Sequence, residues 1–409
     1  MATLAPEAAP AVDPLDVTRP ELYRDDLWHE PFRRLRAEAP VYKCEDSAFG
    51  PYWSISTYKP IVEVESLPEL YSSQAGGITV ADLMPEDIKM PMFIAMDRPK
   101  HTGQRRTVAP AFTPSEMLRM TGDIRQRTAE ILDSLPVGKT FDWVDNVSIE
   151  LTTQMLALLF DFPWEDRRKL TYWSDWAGDI EIAKDPVRKE ERRNILFQCA
   201  AEFGALWNSK VGKEPTPDLI SMMIHSDAMA EMDQMEFLGN LILLIVGGND
   251  TTRNSMSAYA WALEQFPEER AKLEANPELI ANATQEIIRW QTPLAHMRRT
   301  ATQDAELMGQ QIREGDKLVL WYLSANRDES VFERPDDIIV DRANARRHLA
   351  FGHGIHRCVG ARLAELQIGV LMEEMAKRRL RANVTAEPER VSACFVHGYK
   401  AMPVELSRY

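Results

Sequence analysis

The 409-residue chain predicts a mostly helical fold with a small β region, and three observations carry that expectation. Five stretches after residue 100 space their apolar residues three and four apart, which gathers them on one helical face. Strand-like alternation occurs only in short patches. There is no internal repeat and no linker long enough to separate one domain from another, so residues 1–409 read as a single domain.

In chain order, residues 1–20 are rich in Ala and Pro, hold three acids and contain no apolar run. They read as a flexible N-terminal segment, neither signal peptide nor membrane anchor. A strand is expected at 51–56. Residues 76–96 form a loop with Ile78, Val80, Leu83, Met84, Met90, Met92, Phe93 and Ile94 scattered among Gly, Pro and acids. Such residues are either core filler or the lining of an adaptable apolar site. Helices are expected over 116–135, 147–160, 235–265, 278–290 and 361–380. Short strands are expected at 317–321, around Val396 and at 402–406.

The formal charge of −15 argues against a nucleic-acid partner. The four cysteines are scattered, with no spacing of a disulfide framework, which points to a reducing compartment. Apolar runs such as 155–160 and 241–246 are far too short to cross a bilayer. A cytoplasmic protein with no membrane anchor is expected.

One segment carries chemistry: Phe351-Gly-His-Gly-Ile-His-Arg-Cys358-Val-Gly360. Its glycines permit close backbone approach and positive φ. A cysteine entering a helix N-terminus sees the positive end of the helix dipole, which favours thiolate, a ligand for soft or borderline metals. Cys44, Cys199 and Cys394 read instead as inert small hydrophobes. Zinc is a poor fit for Cys358, because one thiolate with His353 and His356 in a single short loop makes a poor tetrahedral cage.

The pattern FGxGxHxCxG resembles the heme-binding loop of the cytochrome P-450 family. That resemblance implies the cytochrome P-450 fold, a long central helix over heme b, and Cys358 as the axial thiolate and only metal ligand. Further constellations agree. Residues 241–252 end in Gly247-Gly248-Asn-Asp250-Thr251-Thr252, and adjacent glycines inside a helix cost about 1 kcal/mol each relative to alanine. Taken alone they suit close packing against a neighbouring helix. They also resemble the family's oxygen-activation motif, which implies Gly248 beside the cofactor, Thr251 in oxygen activation and Asp250 in proton relay. Glu286 and Arg289, three apart on one helical face, resemble the family's structural ion pair, whose third partner is either Arg327 or Arg334. His101, Arg105, Arg299 and His356 occupy positions that resemble those holding the heme propionates. On their own, His101 and Arg105 would read as a solvated helix face.

Residues 92–97, 247–254, 292–301 and 396–399 resemble the bacterial soluble, ferredoxin-dependent group that hydroxylates terminal carbons of alkanes and fatty acids. The expectation is a heme-thiolate monooxygenase acting on an unactivated C–H of a medium-chain alkane or fatty acid. It would use O2 and two electrons from ferredoxin and ferredoxin reductase. A heme-thiolate peroxygenase and a non-catalytic heme sensor are the alternatives, and Asp250-Thr251 argues against both. Pocket candidates are Met84, Met90, Phe93, Leu244, Ile245, Leu294, Met297, Phe395 and Val396. Between residues 342 and 362 lie five arginines (342, 346, 347, 357 and 362) and no acid, a basic face suited to an acidic ferredoxin.

Overall fold

The computed structural model describes residues 13–84, 87 and 89–409. The helices that position the site are α1 (Tyr58–Ser66), α2 (Lys100–Val108), α3 (Pro114–Ser134), α4 (Glu150–Phe160), α5 (Arg168–Gly178), α6 (Pro186–Lys210), α7 (Gln234–Gln265), α8 (Ile280–Gln291) and α9 (Ala361–Lys377). The main sheet comprises β1 (Val41–Cys44), β2 (Tyr52–Ile55), β3 (Tyr71–Ser72), β4 (Met297–Ala301) and β5 (Lys317–Leu320). Its order is β1-β2-β5-β4-β3. Only β2 and β5 run parallel, with Trp53 opposite Leu318. A second sheet joins Thr140–Asp142, Pro403–Arg408 and Leu380–Val384.

Helix α7 is the axis of the molecule. Asp233 caps it by accepting from the Met235 and Glu236 amides at 2.8 and 2.9 Å, which satisfies two of its unpaired N–H groups. Most of its residues from Leu238 to Leu263 are buried, and α4, α5, α8 and α9 pack on it. A helix enclosed on so many sides draws its stability from tertiary burial rather than propensity, and so it tolerates Gly247 and Gly248.

The predicted helices and the strands of the main sheet form. Residues 147–160 begin as a π-turn, Val144–Ile149, before α4. Helices α5 and α6 had no sequence forecast. In α6 the run Arg188 to Arg193 is all charged and interrupts any apolar stripe; Asp185 nevertheless caps it, through the Val187 and Arg188 amides. The flexible reading of 1–20 is corrected from residue 13 onward: Leu15 and Val17 are buried, and Asp16 accepts from Thr18 and from Tyr52 at 3.1 Å. Isolated apolar residues in an irregular segment carry no period to detect. Residues 1–12 lie outside the described residues.

Glu286 and Arg289 form a bidentate pair, both contacts 2.8 Å, with neither side chain exposed. The third partner is Arg342, whose Nε reaches both Glu286 oxygens at 2.9 and 3.0 Å. Both sequence candidates are corrected. Arg334 is largely exposed beside Asp337, and Arg327 stacks over Trp28 at 4.5 Å while donating to the Trp290 carbonyl. Arg342 is thereby withdrawn from the basic face.

Candidate functional site

The site lies where α7, the 351–360 loop and the 76–96 loop converge on a cavity of about 800 Å³. The two glycines of α7 do different things. Nothing lies within 4 Å of where a Gly247 Cβ would project, and Gly247 opens onto the cavity. A Cβ on Gly248 would stand 2.7 Å from Leu156 Cδ2 of α4. Gly248 also lines the cavity, but its lack of a side chain serves the close packing of α7 on α4.

Thr251 Oγ1 donates to the Gly247 carbonyl at 2.8 Å, back into its own helix, and lines the cavity. Asp250 is held through one oxygen: its Oδ1 accepts from Ser174 Oγ and Asn249 Nδ2 at 2.9 Å and from Arg253 at 3.0 Å. Arg253 continues to Asp175 at 2.9 Å, a side chain about half exposed. Burial pushes the Asp250 carboxyl up, with the Arg253 charge opposing. The chain Asp250–Arg253–Asp175 thus links the cavity wall to the surface.

In the cysteine loop, Gly352 and Gly354 hold φ of 67° and 66°, a region that disfavours side chains. A Cβ on Gly354 would also overlap the Glu65 carbonyl, so the loop packs its backbone directly on α1. Glu65 anchors it: the buried carboxylate accepts from the His353 amide at 2.8 Å, Tyr322 Oη at 2.6 Å and Arg299 at 2.9 Å. Sequence reasoning missed Glu65, and no local signal marks it. Cys44, Cys199 and Cys394 are buried, whereas Cys358 is open. The space it opens onto is the cavity. Burial among protein atoms therefore pushes its thiol up, while the Gly360 amide, Arg105 and Arg357 pull it down. A coordinating cation would deprotonate it outright.

Beside this loop, the His101 and His356 rings stand 4.2 Å apart, both buried, and none of their four ring nitrogens has a partner. Burial, aided by neighbouring arginines, pushes His101 down to about 4 and His356 down to about 2. Arg105 donates to the Arg357 carbonyl. Arg299, on β4, turns to Glu65 while Arg298 turns to Asp82 at 2.5 Å, as strand alternation dictates. Buried polar groups are normally satisfied. Four unmet ring nitrogens between two arginines therefore fit a buried dianion such as a propionate pair. Among the described residues no three His, Cys, Asp or Glu side chains stand close enough to hold a metal, so Cys358 would be a lone protein ligand.

The cavity wall includes Met90, Phe93, Leu244, Leu294, Met297, Phe395 and Val396 as expected. Two candidates are corrected. Met84 is 48% exposed and lies off the wall, and Ile245 is fully buried in the core on another face of α7. The lining face of α7 instead runs through Leu238, Ile242 and Val246, four residues apart. That spacing was readable, but it does not say which apolar face meets a cavity.

A sulfur facing a mainly apolar cavity, with unneutralised bases at its edge, suits a heme held through thiolate, and the class this defines is a heme-thiolate monooxygenase. The chain belongs to the cytochrome P-450 family, whose description, Cytochrome P450, matches residues 141–378. It is similar over 97% of its length to the whole of CYP153D17 from Sphingomonas sp. PAMC 26605, with 74% identity and a TM-score of 0.94. It is 35% identical to linalool 8-monooxygenase of Pseudomonas putida, covering 96% of this chain and 98% of that protein. It is 31% identical to a methyl-branched lipid omega-hydroxylase of Mycobacterium tuberculosis, covering 94% and 92%. No helix among the described residues is long and apolar enough to cross a membrane.

Proposed function

We propose that the chain hydroxylates a hydrophobic chain-like substrate, a medium-chain alkane or fatty acid, at or near its terminal carbon. The observation that carries this is the cavity of about 800 Å³ with a mainly apolar wall and Cys358 on it. Heme supplies the redox chemistry by which one atom of O2 enters a C–H bond and the other leaves as water. Cys358 Sγ, open onto the cavity, would hold the iron as thiolate. His101, Arg105, Arg299 and His356 hold the propionates, for which the two histidines' empty ring nitrogens are poised.

Thr251 turns its hydroxyl from the Gly247 carbonyl to donate into the cavity, since the hydroxyl needs only a rotamer change to exchange acceptors. Burial raises the Asp250 carboxyl against the opposing Arg253 charge, and Arg253 and Asp175 connect it to solvent, which suits it to proton relay. Electrons come from ferredoxin and its reductase in the cytoplasm. Arg346, Arg347, Arg357 and Arg362 are exposed, and none has a carboxylate partner among the described residues, which favours an acidic donor docking there. The omega-hydroxylase relative supports terminal attack on a chain.

The test is a panel of alkanes, fatty acids and terpenes scored by the low- to high-spin shift of the ferric holoenzyme. Straight chains should give the largest shifts. A response confined to terpenes or other ring-bearing compounds would overturn the reading.

A further inference from the structure

The charged side chains around the cavity are nearly all matched. Lys189 pairs with Asp87 at 3.0 Å and Arg193 with Glu190. Arg298 and Lys317 share Asp82 at 2.5 and 2.7 Å. On the outer side of the same helix, Arg188 takes Asp179 at 3.0 Å. Apart from Arg105 beside the cysteine loop, which donates only to a carbonyl, Arg192 is the exception. It lines the cavity, donates from one terminal nitrogen to the Ala177 carbonyl at 2.7 Å, and leaves a buried Nε without a partner. No carboxylate among the described residues lies within ion-pair distance of it. The acids whose charge reaches it, Asp179 and Asp87, are already taken by Arg188 and Lys189.

Arg192 is half-buried, and even partial withdrawal of a guanidinium from water without an anion is costly; burial accordingly pushes it below its ordinary value. Its planar fork is the group best shaped to take a carboxylate through two hydrogen bonds. The wall shared with Arg192 is apolar, including Leu83, Ile180, Leu196 and Phe197, and would hold the rest of a chain. Helix α6 packs on α5 and on Leu219–Ile224, whereas the cysteine loop packs on α1. The anchor and the thiol therefore belong to separate regions of the wall.

We infer that Arg192 binds the carboxylate of a straight-chain acid inside the cavity, making such acids preferred over alkanes and alcohols of equal length. This deepens the proposed function and rests on its chain-like substrate. A carboxylate held at α6 leaves the carbons remote from it free to reach the thiol-bearing end.

The experiment titrates ferric holoenzyme with dodecanoic acid, 1-dodecanol and dodecane at a pH where the acid is ionised, reading the spin shift. Wild type is compared with Arg192→Gln, Arg192→Lys and Arg188→Gln, each first shown to keep the normal ferrous carbon monoxide spectrum. Wild type should bind the acid about tenfold more tightly than the alcohol, as one charge-assisted pair provides. Arg192→Gln should erase that preference by weakening the acid alone. Arg192→Lys should keep a fraction of it, and Arg188→Gln all of it. Equal weakening of acid and alcohol in Arg192→Gln, or weakening of neither, would overturn the assignment while leaving the chain-like substrate standing. Absence of any shift with all three compounds would overturn both.

Discussion

Two groups of buried polar side chains face opposite circumstances in this protein. Around Glu286, both guanidiniums and the carboxylate are matched on every side: Arg289 also donates to the carbonyls of Asn326, Pro335 and Asp337, and Arg342 to those of Glu333, Arg334 and Asp337. Around Cys358, Arg105 and Arg299 stand beside two histidines whose nitrogens have nothing to bond. Satisfied burial marks a structural device, whereas unsatisfied burial marks a place prepared for something else. Composition cannot tell these groups apart. Only the hydrogen-bond inventory does.

The most damaging way to break the comparison is Glu286→Gln. It would leave two buried guanidiniums without an anion, at a cost of about 3–5 kcal/mol. Denaturant unfolding of the holoenzyme should show that loss, and a change under about 1 kcal/mol would show that the triad is dispensable. Cys358→His should leave the fold intact by circular dichroism but abolish the red-shifted Soret band of the ferrous carbon monoxide complex. Survival of that band would remove Cys358 as the ligand.

Asp250 and Thr251 lie between the two extremes, one bonded through a single oxygen and one able to turn. Thr251→Ala should lower product formed per electron by about tenfold, less than the roughly 100-fold or more that a full proton-transfer contribution supplies, with peroxide released instead and substrate affinity unchanged. Asp250→Asn should slow turnover without that peroxide rise. Unaltered coupling in Thr251→Ala would end the case for proton delivery at this turn.

Acid sharpens the comparison more gently. Burial holds His101 at about 4, while an unfolded histidine titrates near about 6.5, so the unfolded chain takes its proton first. The heme-free protein should therefore be most stable above about pH 6.5 and lose stability as pH falls toward 4. Heme should flatten that slope, because propionates favour the charged imidazole. Unfolding curves at neutral and mildly acidic pH, with and without heme, check this; identical slopes would contradict it. His101→Leu should likewise stabilise the heme-free protein by about 1 kcal/mol and speed heme loss.

The smallest effect belongs to the surface. Reversing Arg346 and Arg347 to Glu should slow ferredoxin-supported turnover several-fold at low salt, a defect that fades as screening shortens to about 10 Å at 0.1 M. Ferredoxin kinetics matching wild type at low salt would exclude this face.

Residues close in sequence announced themselves. The cysteine loop, the Gly-Gly-Asn-Asp-Thr turn and the Glu286–Arg289 pair each fit within a dozen residues, and local geometry fixes their mutual placement. Helices α7, α8 and α9 were visible because a repeating apolar period sums over many residues. Where the charge run of α6 broke that period, the helix and its cavity-facing Arg192 went unseen. Met84 and Ile245 show the converse limit, since an apolar residue near a site in sequence is equally able to face solvent or core.

The amino-acid order alone determined the family, the helical class, the sulfur ligand and the helix that crosses over it, because those depend on contacts spanning a few positions. It could not determine that Arg342 completes the ion triad, that Glu65 braces the cysteine loop from 288 residues away, that Gly248 rather than Gly247 makes room for Leu156 of α4, or that Arg192 is left unmatched. Those were decided when distant segments packed together, because the partners of a buried charge, and whether it has any, exist only once the chain has closed around it.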